Sequence, residues 1–220
     1  MYKKLSRQEI ARKVASNIPE GYYVNLGIGI PTLAARYLPE DREVILHTEN
    51  GIVGMGPGDP DQPLDLDLIN ASKEPVTLIP GSALTDHVVS FAMMRGGHID
   101  LTILGAFQVS EQGDLANWDN GRPDDIPAVG GAMDLAVGAR QVYVTMEHVT
   151  RDGQPKIVER CTYPLTGEGV VDRIYTDLAV IDVTGKGLVV TSMVEGLTFD
   201  ELQSMTGAPL ALAETVTVLS

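Results

Sequence analysis

Glu43-Val44-Ile45-Leu46-His47-Thr48-Glu49-Asn50-Gly51 is the stretch whose reading decides the fold. Its first six residues read as a short buried strand that ends in polar side chains. Glu49 and Asn50 follow, and then a loop rich in glycine, with Gly51, Gly54, Gly56, Pro57 and Gly58. In open α/β sheets, ligands bind outside the carboxyl ends of the strands. A carboxylate there, beside glycines that let backbone or ligand approach, is a candidate nucleophile. On spacing alone, a helix N-cap or a turn carboxylate is the more ordinary reading of Glu49.

Outward from this stretch the pattern repeats. Ser6 to Ile18 reads as an amphipathic helix, with Ile10, Val14 and Ile18 at helical spacing and Ser6 with Glu9 as a capping box. Tyr22 to Leu26 reads as a strand, and Gly27-Ile28-Gly29-Ile30-Pro31 turns it into a helix running to Tyr37. Val76 to Ile79 is a further strand, followed by Pro80-Gly81-Ser82. Thr85 to Arg95 is helical and stops at Gly96-Gly97. Asp100 to Leu104, Gln141 to Met146, Ala179 to Val183 and Leu188 to Thr191 are strands, and Phe199 to Met205 is a short helix. Short buried strands alternating with helices argue for an α/β fold with an open, mostly parallel sheet flanked by helices. The polar loops Gly56 to Gln62 and Asn120 to Pro127 read as surface excursions, so residues 1–220 are expected to form one domain.

Composition narrows the function. The chain has 220 residues, 44% hydrophobic and 21% charged, enough for one sizeable core. Its net charge of −14 sets it against nucleic acid and anionic membranes. The same charge means that a phosphate-bearing ligand needs local basic residues, or a partner subunit, to offset the field. Cys161 is the single cysteine and reads as a packing residue in a reducing, cytoplasmic setting. No run of roughly 18 apolar residues suggests a membrane span, and no signal-peptide core follows Met1-Tyr2-Lys3-Lys4.

Three further segments carry possible chemistry. Gly27-Ile28-Gly29 lacks the full dinucleotide fingerprint, because Thr32 takes its last position. Gly105-Ala106-Phe107-Gln108-Val109 leads to Gly113-Asp114-Leu115-Ala116-Asn117-Trp118, where Trp118 reads as a packing residue. Gly130-Gly131 precedes a helical stretch, and backbone N–H groups at such a turn can face a developing oxyanion. His47, His87, His98 and His148 are scattered without metal-ligand spacing, and no metal is expected. The acidic run of Asp59, Asp61, Asp65 and Asp67 lacks the calcium-loop pattern and reads as a solvated loop. No nucleophile elbow for a Ser–His–Asp triad occurs.

Taken together, these segments have a family look. HTENGIVGMGP from His47, INASKE from Ile69, MMRGGHIDLTILGAFQVSEQGDLANW from Met93, IPAVGGAMDL from Ile126 and CTYPLTGEGVVDRIYTDLAVIDVT from Cys161 resemble the β subunit of family I CoA-transferases. The resemblance runs from about Ser6 to Leu210. The family pattern is Ser-Glu-Asn-Gly; here Thr48 stands for the serine and keeps its hydroxyl. The resemblance implies an open α/β fold, a separately encoded α subunit in a heterodimer or α2β2 assembly, and no permanently bound cofactor. The resemblance also implies a coenzyme A thioester as the substrate. It makes Glu49 the nucleophile of ping-pong transfer through a glutamyl-CoA thioester. Gly130 and Gly131 would face the oxyanion, and Asn50 would orient the turn. Lys73 would meet substrate or CoA anions, and Gly27, Gly29 and Gln108 would help bind them. Arg95 is a weaker cation, since it also ends a helix.

The Trp118-to-Gly131 stretch lacks the Met-Ile-Pro-Gly-Lys type of run found in acetoacetate-using members. It resembles the branch that takes 3-oxoadipate in aromatic catabolism, with succinyl-CoA as donor. Acetoacetate is the alternative acceptor. Two readings of other kinds compete: a non-catalytic module binding acyl-CoA or an organic acid, and a thioester hydrolase using the same glutamate. An intact Glu49, Asn50 and glycine pair favour the transferase, since a pure binder has no need of a nucleophile.

Overall fold

A computed structural model describes residues 2–56, 65–122 and 126–219. Helix α1, Arg7–Ser16, starts where the sequence places a cap: Ser6 Oγ accepts from the Glu9 N–H, and the Glu9 carboxylate accepts from the Ser6 N–H. Ile10, Ala11, Val14 and Ala15 form its buried stripe. Full burial of side chains such as Ile10 and Val14 contributes about 2 kcal/mol each. Strand β1, Tyr23–Leu26, leads into α2, Ile30–Ala34, which tightens to a 3-10 turn over Ala35–Tyr37.

The remaining strands are β2 (Ile45–Thr48), β3 (Ile52–Gly56), β4 (Thr77–Leu84), β5 (Leu101–Gly105), β6 (Gln108–Ser110), β7 (Leu115–Ala116), β8 (Gln141–Thr145), β9 (Ile157–Val158), β10 (Arg173–Tyr175), β11 (Ala179–Thr184), β12 (Gly187–Val194) and β13 (Leu210–Leu219). Helices α3 (His87–Arg95), α4 (Ala132–Gly138) and α5 (Phe199–Ser204) complete the described elements. The main sheet has ten strands in the order β13-β12-β11-β10-β8-β5-β1-β2-β3-β4. Its centre, β10-β8-β5-β1-β2, is parallel throughout. Antiparallel pairs extend it at both sides, and β13 returns parallel to β12. Central β5 is buried from Leu101 to Leu104, whereas β12 alternates buried and half-exposed. That contrast is the difference between a strand covered on both faces and one covered on one.

Three local expectations change. The glycine-rich stretch after Glu49 is not a loop over Ile52–Gly56: it is β3, paired antiparallel to β2 and β4. Glu49 therefore sits on a hairpin turn, and Gly54 is accommodated by a register shift between Val53 and Met55. Pro80-Gly81-Ser82 lies inside β4 on an edge of the sheet, where a proline costs no ladder bond. The last strand, β13, carries Ala211, Ala213 and Glu214, helix formers that hide a strand signal. Pro57 and Gly58, Asp59 and Asp61, most of the Gly56–Gln62 loop, and residues 123–125 of the second polar loop lie outside the described residues. No helix among the described residues is long and apolar enough to cross a membrane.

Candidate active site

The parallel centre positions the site. β1, β2 and β5 are neighbours, so their carboxyl ends bring Gly27, Glu49 and Gly105 to one edge of the sheet. A cleft of about 320 Å³ opens there, between these strand ends, the Ala71–Ser72 loop and the start of α4. Asn25, Asn117, Ala128, Gly130 and Gly131 complete much of its wall.

Glu49 stands on a tight turn. The Gly51 N–H donates to Thr48 O at 2.9 Å, and Gly51 itself has φ 116°, a left-handed conformation that side chains resist. The Thr85 N–H closes onto Gly51 O at 2.8 Å, leaving no room for a Cβ. The Thr48 hydroxyl pins the turn from below. It donates to Asn50 Oδ1 at 2.8 Å and accepts from the Ala71 N–H at 2.9 Å. Asn50 Nδ2 donates to Ile69 O at 2.7 Å, so hairpin and neighbouring loop are tied together.

The carboxylate of Glu49 accepts a hydrogen bond from the Gly131 backbone N–H. A Cβ on Gly131 would overlap Glu49 Oε2 and reach Phe91, so only glycine admits this approach. Half-burial raises the pKa of Glu49 above the usual glutamate value. The Gly131 N–H and the nearby His87 pull it back, and Asp134 adds to the rise. His87 stacks on Phe91 with centroids 4.3 Å apart, and Asp134 is held by Arg95 Nε at 2.6 Å. A desolvated carboxylate with one oriented N–H donor is more basic and more nucleophilic than one in water.

Beneath the turn, His47 is buried. Its Nδ1 lies 3.1 Å from Asn25 Nδ2, which also donates to His47 O, and its Nε2 lies 3.1 Å from Ser90 Oγ. Burial pushes its pKa down to about 4, so the ring is neutral. A neutral ring whose Nδ1 accepts from Asn25 carries its proton on Nε2 and donates to Ser90. Asn117 is likewise locked, donating to Gly105 O at 3.0 Å and accepting from Thr166 at 2.6 Å.

The family model described as coenzyme A transferase matches residues 7–204. The chain belongs to the coenzyme A transferase family. A 3-oxoadipate CoA-transferase subunit of Acinetobacter baylyi is 59% identical over 209 residues, covering 95% of this chain and 96% of that one. A probable succinyl-CoA:3-ketoacid coenzyme A transferase subunit of Bacillus subtilis is 45% identical over 214 residues, 97% of this chain and 98% of that one. Among solved structures, an acyl-CoA transferase of Escherichia coli O157:H7 superposes with a TM-score of 0.76 at 18% identity. It covers all of this chain, which spans 45% of the length of that one. At that identity the likeness speaks for the fold.

Within this coenzyme A transferase chain, the residues singled out in the sequence divide in two. Glu49, Gly27, Gly130 and Gly131 meet around the cleft. The others do not line it. Asn50 braces the turn. Lys73, at φ 64°, follows the lining residue Ser72 in a loop held by Asn70. Gly29 lies in two adjoining pockets, with its N–H bonded to Thr32 Oγ1. Gln108 Oε1 accepts from Thr162 and Tyr163 away from the cleft. Arg95 is engaged by Asp134. Cys161 donates to Asp114 O, and burial pushes its thiol up to about 11. Trp118 donates to Leu165 O, a packing role. Asn25 belongs to no motif; its one signal is a polar side chain in the middle of an apolar strand.

Proposed function

We propose that this chain is the β subunit of a cytoplasmic CoA-transferase that moves CoA from succinyl-CoA to 3-oxoadipate. The observation that carries the reading is the Glu49 carboxylate, raised in pKa and aligned by the Gly131 N–H at the wall of the cleft. The 59% identical relative, named for 3-oxoadipate, supports that acceptor over the 45% identical one named for 3-ketoacids.

A Glu49 oxygen attacks the thioester carbonyl of succinyl-CoA. The C–S bond breaks, CoA leaves as thiolate, and Glu49 carries a mixed succinyl anhydride. The thiolate attacks the Glu49 carbonyl carbon, succinate departs, and CoA is held on Glu49 as a thioester. A carboxylate of 3-oxoadipate then repeats the two steps in reverse, leaving 3-oxoadipyl-CoA and a free Glu49. Covalent storage keeps the thioester's free energy, provided water is kept from Glu49. Each tetrahedral intermediate carries an oxyanion, and the N–H groups of Gly130 and Gly131 are its donors in this reading. One such donor is worth about 3 kcal/mol. Lys73, next in the chain to the cleft-lining Ser72, is the cation proposed to meet a substrate or CoA anion, and Gly27, on the cleft wall, is proposed to let the thioester arm approach the backbone. The cleft is completed by an α subunit, the partner implied by relatives that are themselves named as single subunits of a CoA-transferase.

The test is a borohydride trap. The chain is assembled with its α partner, incubated with succinyl-CoA, reduced, and the peptide containing Glu49 is mapped by mass. Reduction of Glu49 only in the presence of the acyl-CoA is expected. An unmodified Glu49 in an assembled mixture that binds succinyl-CoA makes the chain a binding module instead.

A further inference from the structure

A row of polar side chains crosses the apolar centre of the sheet and passes beneath the Glu49 turn. Thr102 on β5, Asn25 on β1 and His47 on β2 are register partners, so they stand side by side. All three are buried, and so is Ser90 on α3, the next in line. The contacts between them have a direction. Asn25 Nδ2 lies 3.1 Å from His47 Nδ1 and 3.3 Å from His47 O. A carbonyl oxygen only accepts, so the atom beside it is the amide nitrogen, and this fixes which way the Asn25 amide points. Both of its N–H groups then go to His47, one to the ring and one to the backbone. The ring in turn is held at Nε2, 3.1 Å from Ser90 Oγ. On its other side Asn25 has no such anchor: among the described residues, Thr102 Oγ1 is buried without a partner. None of the described residues donates to Asn25 Oδ1 either, and that oxygen is not enclosed in the core; it opens onto the cleft that Asn25 lines.

We propose that His47 is a positioning residue for the transfer: clamped by Ser90, it turns the carbonyl end of Asn25, and not the amide end, towards the reacting groups. The inference rests on the reading that a CoA thioester reacts at Glu49. In that reaction a thioester carbonyl and a carboxylate both present oxygens to the cleft, and the N–H groups of Gly130 and Gly131 are their proposed donors. An Asn25 carbonyl repels such an oxygen and leaves it to the glycines. An Asn25 amide turned the other way offers a rival donor and draws substrate into an unproductive pose. The imidazole suits the task. Burial lowers its pKa to about 4, so the ring stays neutral and Nδ1 stays an acceptor. Ser90 selects the same tautomer from the far side, by accepting from Nε2. The clamp therefore runs from α3 through β2 to β1, and its one open end is the oxygen in the cleft wall.

The test uses the enzyme assembled with its α partner. His47→Leu removes the ring acceptor, whereas His47→Asn puts an amide oxygen where Nδ1 stands and keeps the hold on Asn25. Both lose the bond to Ser90, and both are expected to lose stability to a similar degree. Only His47→Leu is expected to lose kcat, on the order of tenfold or more, with a KM for succinyl-CoA no higher than that of the wild type, as unproductive binding requires. His47→Asn is expected to keep most of the wild-type kcat. Equal losses of kcat in the two variants, in step with their stability, or a loss carried by KM alone, overturn the positioning role. Should the variants fail to fold, nitrogen NMR of the wild-type assembly labelled at histidine decides. A neutral His47 protonated at Nε2 and bare at Nδ1 is expected at neutral pH, identified as the ring whose signals shift in Ser90→Ala. A ring protonated at Nδ1 overturns the proposal. No transfer by a wild-type assembly in which that tautomer is present overturns the transferase reading instead.

Discussion

Gly131 donates its backbone N–H to the carboxylate of Glu49, so the start of α4 meets the β2–β3 turn at one hydrogen bond. In the proposed mechanism the same N–H also serves as an oxyanion donor, so that a single close approach supplies both orientation and charge stabilisation.

Gly131→Ala separates that approach from folding. Gly131 has φ −87°, which alanine adopts without strain, but the added Cβ would overlap Glu49 Oε2. The carboxylate must move by about an ångström, and such misplacement costs on the order of a hundredfold in kcat. The expected outcome is a Tm close to wild type with transfer reduced to that extent. A fully active Gly131→Ala enzyme contradicts the proposed geometry.

Glu49→Ala removes the proposed nucleophile and is expected to abolish transfer while the circular dichroism spectrum and assembly with the α partner persist. Turnover at the wild-type rate would sink the covalent mechanism.

The raised pKa of Glu49 has two readouts. Since the ionised form attacks, the pH profile of thioester formation should fall on its acid side above the usual glutamate range. Stability runs the other way. A carboxyl whose folded pKa is raised contributes stability below its unfolded pKa and loses it as pH rises through the folded pKa. Glu49→Gln, neutral throughout, should therefore melt higher than wild type at neutral pH, and the gap should close as both are acidified. Equal melting temperatures across the range would remove burial as the cause of the shift.

The Thr48 hydroxyl is a node between the Glu49 turn and the Ala71 loop. Thr48→Val keeps the shape and leaves the Ala71 N–H and Asn50 Oδ1 without this partner, at about 1–3 kcal/mol. Thr48→Ser restores the hydroxyl. Denaturant titration should show the valine variant destabilised and the serine variant near wild type, with transfer rates in the same order.

His47 and His148 are both buried, and burial lowers each pKa to about 4. His148 is held between Thr176 and Thr206. The unfolded chain takes up protons near the ordinary histidine value of 6.5, before the folded chain does. Stability should therefore fall as pH drops from 6.5 towards 4, by about 3 kcal/mol per histidine. His148→Asn should flatten that slope even if it lowers stability at neutral pH. An unchanged slope measured by urea unfolding at several pH values would argue that the carboxylates alone govern it.

What could be read without the structure was local in origin. The Ser6–Glu9 capping box spans three residues, and its hydrogen bonds form within one helical turn. The central strands β1, β2, β5 and β8 declare themselves by apolar runs that need cover on both faces. Glu49 at a strand's carboxyl end was legible for the same reason, and long ordered matches made the family recognisable. The Ile52–Gly56 strand was not legible, because its three-glycine neighbourhood reads as loop until β4 pairs with it. Gly131 was singled out beside Glu49 through the family resemblance, but His87 and Asp134 were not: they come near it only because α3 and α4 pack together beyond the sheet edge. Helix caps and strand runs follow from interactions between residues a few positions apart, and the sequence by itself determined those. The cleft is made from strand ends and loops far apart along the chain. Its distances and burial were decided only when the parallel strands aligned their carboxyl ends in one row.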